Sequence, residues 1–274
     1  MSFKIKHTMN EKELMLTSIL NCSRSDLYAQ PVKLNPEDSA RFEKMKERRA
    51  EGEPLQYILG SWDFMGLKFL VDERVLIPRP ETETLVELAL EKAKAFADRE
   101  IEILDLGTGS GNIAVALAHF IKNCRVTTVD ISQDALEVAQ HNAAYNRVEQ
   151  RITFLNGDMK NFLNKFRTEG KTFDMIISNP PYVKRSQLSS LQLEVRREPA
   201  LALDGGEDGL DFYRVIIAGA ADILKHNAFL LFEIGDDQAE DIKNIFASYS
   251  GYKNWEIIQD LTNRDRIIIV KRES

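Results

Sequence analysis

The chain has few of the residues that build disulfides or metal sites. Its two cysteines, Cys22 and Cys124, lie far apart and in no C-x-x-C spacing. This argues against a disulfide framework and a thiolate metal site, and indicates reduced thiols in a cytosolic protein. The four histidines also show no ligand spacing, so we expect no bound metal. They are His7, His119, His141 and His226.

Long hydrophobic runs and a surplus of positive charge are also lacking. No stretch approaches the ~20 apolar residues of a membrane span, and charges at Lys4, Lys6 and Glu11 interrupt any signal-peptide core. There are 36 Lys and Arg against 43 Asp and Glu, a net charge of -7, which opposes a general grip on nucleic-acid backbones. We therefore expect a cytoplasmic protein with no membrane partner and no direct nucleic-acid binding.

The first sixty residues have a helical pattern. Apolar positions repeat at helical spacing, and a second helix is predicted to start at Asn35-Pro36, because Asn can cap a helix and Pro suits its first position. Gly52 and Pro54 are expected to end that helix. We predict a small helical domain over residues 1–61.

Residues 62–79 have a different pattern, with short apolar runs in place of helical spacing. The runs are Phe64-Met65 and Leu67–Val71, and Gly66 stands between them where a tight turn is needed. This predicts a β-hairpin that connects the helical domain to the rest of the chain.

From residue 80 onward, strands and helices alternate, which is typical of a parallel sheet covered by helices. A helix is predicted from Pro80 to about Ala97. The predicted strands span 101–106, 125–131, 152–155, 173–178 and 228–234, with helices starting near 112, 132, 208 and 236. The last two strands, 255–261 and 266–271, have only four residues between them, too few for a parallel crossover, so they must form an antiparallel hairpin.

This pattern predicts an α/β domain over residues 80–274 with a doubly wound sheet and a C-terminal antiparallel hairpin. It resembles the Rossmann-like fold of S-adenosylmethionine-dependent methyltransferases. The first strand of the domain ends in the turn Gly107-Thr108-Gly109-Ser110-Gly111, where glycines allow a sharp turn and close approach to a ligand. A dinucleotide fingerprint would require glycine in place of Asn112, whereas G-x-G-x-G resembles the methyltransferase cofactor loop. A purely structural or NAD-binding turn is the alternative.

Three carboxylates lie at or near the ends of the first three strands. Asp130 can accept both hydroxyl protons of a ribose. Asp105 either orients the amino-acid end of the cofactor or caps the local turn. By resemblance to the methyltransferases, Asp158 accepts from the amine of an adenine while Met159 covers the ring; alternatively, Asp158 caps the next helix.

The strand at 173–178 leads into Asn179-Pro180-Pro181-Tyr182. Two successive prolines remove two backbone donors and fix both φ angles, so nearby carbonyls are left as unpaired acceptors. The Asn179 side-chain oxygen and the Pro180 carbonyl can then receive both protons of one –NH2 group, and Tyr182 offers a flat face to a planar amide or base. A turn without function is the alternative, disfavoured because the glycine turn lies at the same edge of the sheet.

A pair of acceptors suits methyl transfer to a planar nitrogen. The lone pair of such a nitrogen is spread into a π-system, and no side-chain base at pH 7 can remove its proton beforehand. Two hydrogen bonds hold the nitrogen in line with the sulfonium methyl and stabilise the charge that grows on it. We predict an enzyme that uses S-adenosylmethionine and leaves S-adenosylhomocysteine.

Segments outside this turn, on both sides of it in the chain, resemble the release factor glutamine methyltransferases. The resemblance extends over nearly the whole chain from about Leu55. They are residues 54–60, 64–66, 75–83, 198–203, 205–206, 208–210 and 232–235. That family methylates the amide nitrogen of the glutamine in the Gly-Gly-Gln motif of peptide chain release factors. The resemblance implies that Asn179 to Tyr182 bind this amide, and that Gly107 to Gly111, Asp130, Met159 and Asn179 bind the cofactor.

In that family the helical N-terminal domain helps grip the release factor, so residues 1–61 are expected to do the same unless they serve stability alone. Many relatives have an aromatic residue where Met159 stands, so a softer thioether contact replaces ring stacking here. Arg79 and Glu81 are expected to shape the approach of the connector to the cleft. We expect a monomer that acts on class I release factors.

Asn-Pro-Pro-Tyr also occurs in enzymes that methylate adenine or guanine amino groups, so two alternatives stay open. One is a glutamine methyltransferase of a ribosomal protein. The other is a nucleic-acid amino methyltransferase, which the acidic charge and the absence of a separate target-recognition segment disfavour. A non-catalytic cofactor-binding protein would keep the glycine turn but would not need the acceptor turn.

Overall fold

A computed structural model describes residues 9–29, 33–260 and 262–273, without the side chains of residues 253 and 254. His7 falls outside the described residues. The N-terminal part contains the helices α1 (Glu11–Leu20), α2 (Arg24–Ala29), α3 (Pro36–Ala50) and α4 (Leu55–Leu59). The Asn35 side chain accepts a hydrogen bond from the backbone N–H of Asp38 and Pro36 takes the first helical position, so the predicted start of α3 is confirmed.

The helix α4 was not predicted, because five residues are too few to show helical periodicity. It contributes Leu55 to a small apolar cluster that also contains Met15, Ile19 and Phe42. The N-terminal helices therefore have a core of their own.

The predicted hairpin is present as β1 (Ser61–Phe64) and β2 (Leu67–Leu70), paired antiparallel. Its two turn residues both have positive φ angles, 54° at Met65 and 75° at Gly66, which is the left-handed conformation that a tight two-residue hairpin requires. The Glu83 carboxylate accepts a 2.7 Å hydrogen bond from the Met65 backbone N–H. This bond ties the turn to the helix that follows the connector.

The remaining residues form a seven-stranded sheet with helices on both faces. Its strands are β3 (Ile101–Leu106), β4 (Cys124–Asp130), β5 (Ile152–Asn156), β6 (Phe173–Ser178), β7 (Leu224–Glu233), β8 (Tyr252–Gln259) and β9 (Asp265–Arg272). The order is β5-β4-β3-β6-β7-β9-β8. The first five are parallel and β9 is antiparallel to both of its neighbours, which confirms the predicted sheet and final hairpin.

The helices around the sheet are α5 (Pro80–Ala93), α6 (Asn112–Phe120), α7 (Gln133–Tyr145), α8 (Met159–Glu169), α9 (Asp211–Ile223) and α10 (Ala239–Ala247). The strand β7 begins at Leu224, earlier than predicted. Its pairing with β6 shifts register between Phe173 and Met175, and Asn227 has a φ of 63°. This irregular stretch interrupts the alternating pattern, so the sequence did not predict the first residues of the strand.

Alternate residues of the central strands point to opposite faces of the sheet. One apolar cluster contains Ile103 and Ile177 and packs under α5, α6 and α7, while another contains Leu104 and Ile176 and packs under α8, α9 and α10. Both faces are therefore buried, as a parallel sheet requires. No helix among the described ranges has the length and apolar character needed to cross a membrane.

Asn142 of α7 joins the hairpin to the sheet domain. It is fully buried, and its side chain accepts from the Leu70 backbone N–H at 2.7 Å and donates to the Leu70 and Ser110 carbonyls at 3.0 and 2.8 Å. One side-chain amide is thus hydrogen-bonded both to the end of β2 and to the glycine turn. The sequence offers no signal for this role, because the three partners are distant in the chain.

We expect Asn142→Ala to lower the free energy of unfolding by about 3 kcal/mol, since it leaves several buried backbone groups without partners. Urea denaturation followed by circular dichroism measures the change. Asn146→Ala is the matched control, because Asn146 lies one turn later, is only half-buried and donates to Lys68 at 3.0 Å. Equal losses from the two variants would contradict the role given to Asn142.

Candidate active site

The strand order brings the glycine turn and the acceptor turn together. β3 and β6 are paired neighbours, with Leu106 opposite Ser178, so the turns that follow them leave the same edge of the sheet side by side. β4 lies on the other side of β3 and ends at Asp130. The chain connections diverge between β3 and β6, which is the place where open α/β sheets bind ligands.

A cleft of about 230 Å³ opens at this edge. Most of the predicted cofactor and substrate residues line it: Gly107, Thr108, Gly109, Ser110, Asp130, Asp158, Met159, Asn179 and Pro181. The connector residues 74–79 and Pro199, Leu201 and Ala202 also line the cleft. Gly111, Pro180 and Tyr182, which were also predicted for the site, are not among its lining residues.

The glycine turn adopts left-handed backbone at alternate positions, with φ of 81° at Gly107, 53° at Gly109 and 81° at Gly111. Space for a side chain is open at Gly109, whereas a Cβ at Gly111 would lie 3.0 Å from the Cβ of Ala139 in α7. Gly111 therefore allows close packing of two helices. Its expected direct contact with the cofactor stays a prediction.

Asp130 holds the turn in place with both carboxylate oxygens. One accepts from the Gly109 backbone N–H at 2.8 Å and the other from the Ser132 backbone N–H at 2.9 Å. Burial raises the pKa of Asp130, and these backbone donors oppose that shift. Each oxygen retains a lone pair for a further donor from the cleft.

Asp105 is fully buried behind the same turn. One of its oxygens accepts a 2.8 Å hydrogen bond from the Thr128 hydroxyl, which in turn is hydrogen-bonded to the Thr108 hydroxyl of the glycine turn. The other oxygen has no hydrogen-bond partner among the described residues. Burial, together with the charge of Asp130, raises the pKa of Asp105 to about 7.

Both interpretations of Asp158 are compatible with its position. Its carboxylate caps α8 by accepting from the Lys160 backbone N–H at 2.7 Å, and it also lines the cleft next to Met159. The apolar side chains of Ile131 and Leu201 line the same cleft although they are 54% and 53% exposed. Such exposed apolar surface suits a flat, largely apolar ligand group.

The acceptor turn is oriented by the Asn179 side chain. Its –NH2 group donates to the Thr82 hydroxyl at 3.1 Å, so its oxygen is directed away from Thr82. Pro180 is buried, and no described residue donates a hydrogen bond to its carbonyl. Tyr182 is half-buried, packs against the apolar cluster under α9, and has its pKa raised by burial.

Gly205 and Gly209 lie behind the acceptor turn. The sequence matched them to the family only through resemblance, and the structure shows why glycine is needed at both positions. A Cβ at Gly205 would lie 2.7 Å from the Tyr182 Cα, and one at Gly209 would lie 2.5 Å from the Tyr182 carbonyl oxygen. Gln238 donates to that carbonyl at 3.0 Å. Gly205 and Gly209 thus lie so close to the Tyr182 backbone that a larger residue would clash at either position.

The connector is attached to the far wall of the cleft by Glu198, which is almost fully buried. Its carboxylate accepts from the Ile77 backbone N–H at 3.0 Å and forms an ion pair with Arg79. Arg79 lines the cleft, in line with the shaping role expected for it, and Glu81 is not among the lining residues.

Two family models match the chain. One, described as a methyltransferase domain, covers residues 97–248, and one described as a PrmC N-terminal domain covers residues 4–60. Two similar proteins are both named release factor glutamine methyltransferase. The one from Moorella thermoacetica is 41% identical over 263 residues, which span 96% of this chain and 90% of that protein. The one from Geobacter sulfurreducens is 42% identical over 266 residues, 96% and 89% of the two chains.

Solved structures agree with the fold. A structure of an S-adenosylmethionine-dependent methyltransferase from Agrobacterium tumefaciens matches with a TM-score of 0.56 and 19% identity, over 78% of this chain and 70% of that one. At this identity the likeness concerns the fold alone, and it confirms the predicted Rossmann-like class.

Asp105 should make the protein less stable as the pH rises. Its folded pKa of about 7 lies above the ordinary value of 3.8, so between pH 6 and 8 the folded state loses a proton that the unfolded state has already lost. This lowers the free energy of unfolding by about 1.4 kcal/mol over that range. We expect Asp105→Asn to remove this part of the pH dependence in urea denaturation at pH 6 and 8.

The matched control is Asp134→Asn, which removes the same charge from an exposed position. It should leave the pH dependence as it is in the parent protein. An Asp105→Asn variant with an unchanged difference in stability between pH 6 and 8 would show that Asp105 does not titrate in this range.

Proposed function

The chain belongs to the family of release factor glutamine methyltransferases, and from this premise we propose what its cleft does. It binds S-adenosylmethionine and transfers the methyl group to the side-chain amide nitrogen of a release factor glutamine. The target is the glutamine of the Gly-Gly-Gln motif, and class I release factors are the partners. The product that leaves is S-adenosylhomocysteine.

The observation that carries this proposal is the neighbouring position of the two turns. The glycine turn after β3 and the acceptor turn after β6 line one cleft, with Leu106 and Ser178 paired directly before them. A cofactor held by the first turn therefore lies beside an amide held by the second. A cofactor-binding protein without catalysis would have no use for that arrangement.

The residues present fit S-adenosylmethionine. Asp130 lines the cleft, and each of its carboxylate oxygens retains a lone pair for a ribose hydroxyl. Met159 and Ile131 offer apolar contact to an adenine. When bound, S-adenosylmethionine supplies an electrophilic methyl group on a positively charged sulfur.

The acceptor turn prepares the amide nitrogen. The Asn179 side-chain oxygen and the Pro180 carbonyl accept its two protons, which fixes its position and stabilises the positive charge that develops on it. On methyl transfer the nitrogen would gain a bond to the methyl carbon while the carbon–sulfur bond breaks and leaves its electron pair on sulfur, and the nitrogen would then release one proton to water. A basic side chain is not needed beforehand, because the proton becomes acidic only after the new bond forms.

We propose that the chain is organised as residues 1–61 for recognition of the release factor, 62–79 as connector and 80–274 for catalysis, and acts as a monomer. The helical part contacts the catalytic part next to the cleft. Arg49 of α3 pairs with Glu194 at 2.7 Å, and Arg197 donates to the Glu51 carbonyl. Glu198 follows directly and pairs with Arg79, which lines the cleft, so a partner that touches the helices also lies near the site.

Labelled methyl transfer to a release factor, a ribosomal protein mixture and DNA, measured in parallel, tests the proposed substrate. We expect label only on the release factor, and none when the motif glutamine is replaced by glutamate, because no –NH2 group remains for the two acceptors. Transfer to the ribosomal proteins or to DNA instead would overturn the proposal.

Asp130→Ala should raise the dissociation constant for S-adenosylmethionine at least about tenfold, because it removes a charged acceptor whose hydrogen bonds contribute about 1.5–3 kcal/mol each before compensation. Isothermal titration calorimetry measures this. Asp134→Ala is the control, since it removes an equal charge from the exposed first turn of α7. An unchanged affinity in Asp130→Ala would remove Asp130 from the cofactor site.

Asn179→Ala should lower single-turnover methylation at saturating cofactor by about a hundredfold or more, the scale for deleting one preorganised group that faces developing charge. Its affinity for the cofactor should change less, since the glycine turn and Asp130 remain. Asn164→Ala, on the exposed face of α8, is the control. A parental rate in Asn179→Ala would refute the amide clamp.

A further inference from the structure

A continuous chain of hydrogen bonds runs from the buried end of β7 to the acceptor turn. The Thr82 hydroxyl donates to the Glu233 carboxylate at 2.6 Å, and the Asn179 –NH2 group donates to the same hydroxyl at 3.1 Å. Thr82 and Glu233 are 1% and 2% exposed. Neither side chain belongs to the acceptor turn, and they are 151 residues apart in the sequence.

The chemistry of the three groups sets the direction of the chain. An ionised carboxylate only accepts hydrogen bonds, so Glu233 takes the single proton of the Thr82 hydroxyl. Thr82 can then only accept from Asn179, and the sole donor that the Asn179 amide offers is its –NH2 group. The Asn179 oxygen is thereby turned away from Thr82.

We infer that Thr82 and Glu233 are positioning residues that lock the Asn179 amide with its oxygen toward the substrate. This inference rests on the proposed function, in which that oxygen accepts a proton of the substrate amide. The reversed amide would present –NH2 to the substrate –NH2, and two donors cannot form a hydrogen bond. The lock therefore selects the one orientation that can bind glutamine.

The charge on Glu233 controls the lock. Burial raises the pKa of Glu233 to about 7, with the Thr82 hydroxyl opposing the shift. A protonated Glu233 can donate to Thr82, which frees the Thr82 proton for the Asn179 oxygen and allows the reversed amide. The charged and titratable groups around Glu233 are Glu81, which raises its pKa, Arg266 and Arg79, which lower it, and Tyr182 and Tyr213.

The direct test uses the full chain with Thr82→Val, which is close to threonine in shape but can neither accept from Asn179 nor donate to Glu233, and Thr82→Ser, which restores the hydroxyl. Single-turnover methylation of a release factor is measured at saturating S-adenosylmethionine. We expect Thr82→Val to be slower by at least about tenfold, a smaller loss than deletion of the acceptor itself. Thr82→Ser should return to within about threefold of the parent, and the affinity for the cofactor should stay the same in both.

Two further readouts separate orientation from general loss of structure. A release factor with glutamate at the target position should bind the parent enzyme more weakly than one with glutamine, because its carboxylate would face the Asn179 oxygen; titration calorimetry measures both affinities. In Thr82→Val, the ratio of the binding affinities for the glutamine and glutamate forms of the release factor should fall at least about tenfold. The freed Asn179 amide can then turn its –NH2 group to the carboxylate. The methylation rate of the parent enzyme should also decrease as the pH is lowered below about 7, and Glu233→Gln should lose this pH dependence.

The outcomes distinguish this inference from the proposed function. A parent enzyme that leaves the release factor unmethylated would overturn both. An active parent with a Thr82→Val variant of equal rate, or of lower rate with an unchanged preference for glutamine, would overturn the lock alone. Should Thr82→Val fail to fold, Glu233→Gln is measured in its place: its –NH2 group can donate to Thr82 and free the hydroxyl proton for the Asn179 oxygen, so a parental rate that still falls at pH values below 7 would overturn the lock.

Discussion

The pairing of β3 with β4 on one side and β6 on the other is the constraint on which the site depends. It places the turns after β3 and β6 at one edge, and hydrogen bonding between the strands leaves no freedom to separate them. Cofactor and amide must meet in line for methyl transfer, and a rigid sheet provides that alignment without mobile parts. The charge that develops at the nitrogen then meets acceptors that are already in place.

Around this edge, side chains that do not line the cleft fix the position of the segments that line it. Asp105 supports Thr108 through Thr128, Asn142 ties the glycine turn to the hairpin, and Glu198 binds the connector to the opposite wall. Each is almost fully buried and hydrogen-bonded to backbone or hydroxyl groups. Burial makes such bonds costly to lose, so the geometry of the site and the stability of the fold depend on the same residues.

Two buried carboxylates, Asp105 and Glu233, support different parts of the site. Asp105 and Glu233 both have their pKa raised to about 7 by burial, but the first lies behind the cofactor turn and the second behind the acceptor turn. Both groups therefore contribute to the pH dependence of stability, whereas only Glu233 is inferred to affect that of methylation. The variants Asp105→Asn and Glu233→Gln act on separate parts of the site and can be compared directly.

The sequence alone was enough for the sheet, its final hairpin, the connector and the two turns, because each is encoded by residues that are close together in the chain. Glycine and proline act on their own backbone, and alternating apolar residues report the face of their own strand. The roles of Thr82, Glu233 and Gly205 were decided by the tertiary structure, since their partners are distant in sequence and meet only after the strands are ordered. For the same reason the sequence did not show that Gly111 also packs closely against Ala139 of α7.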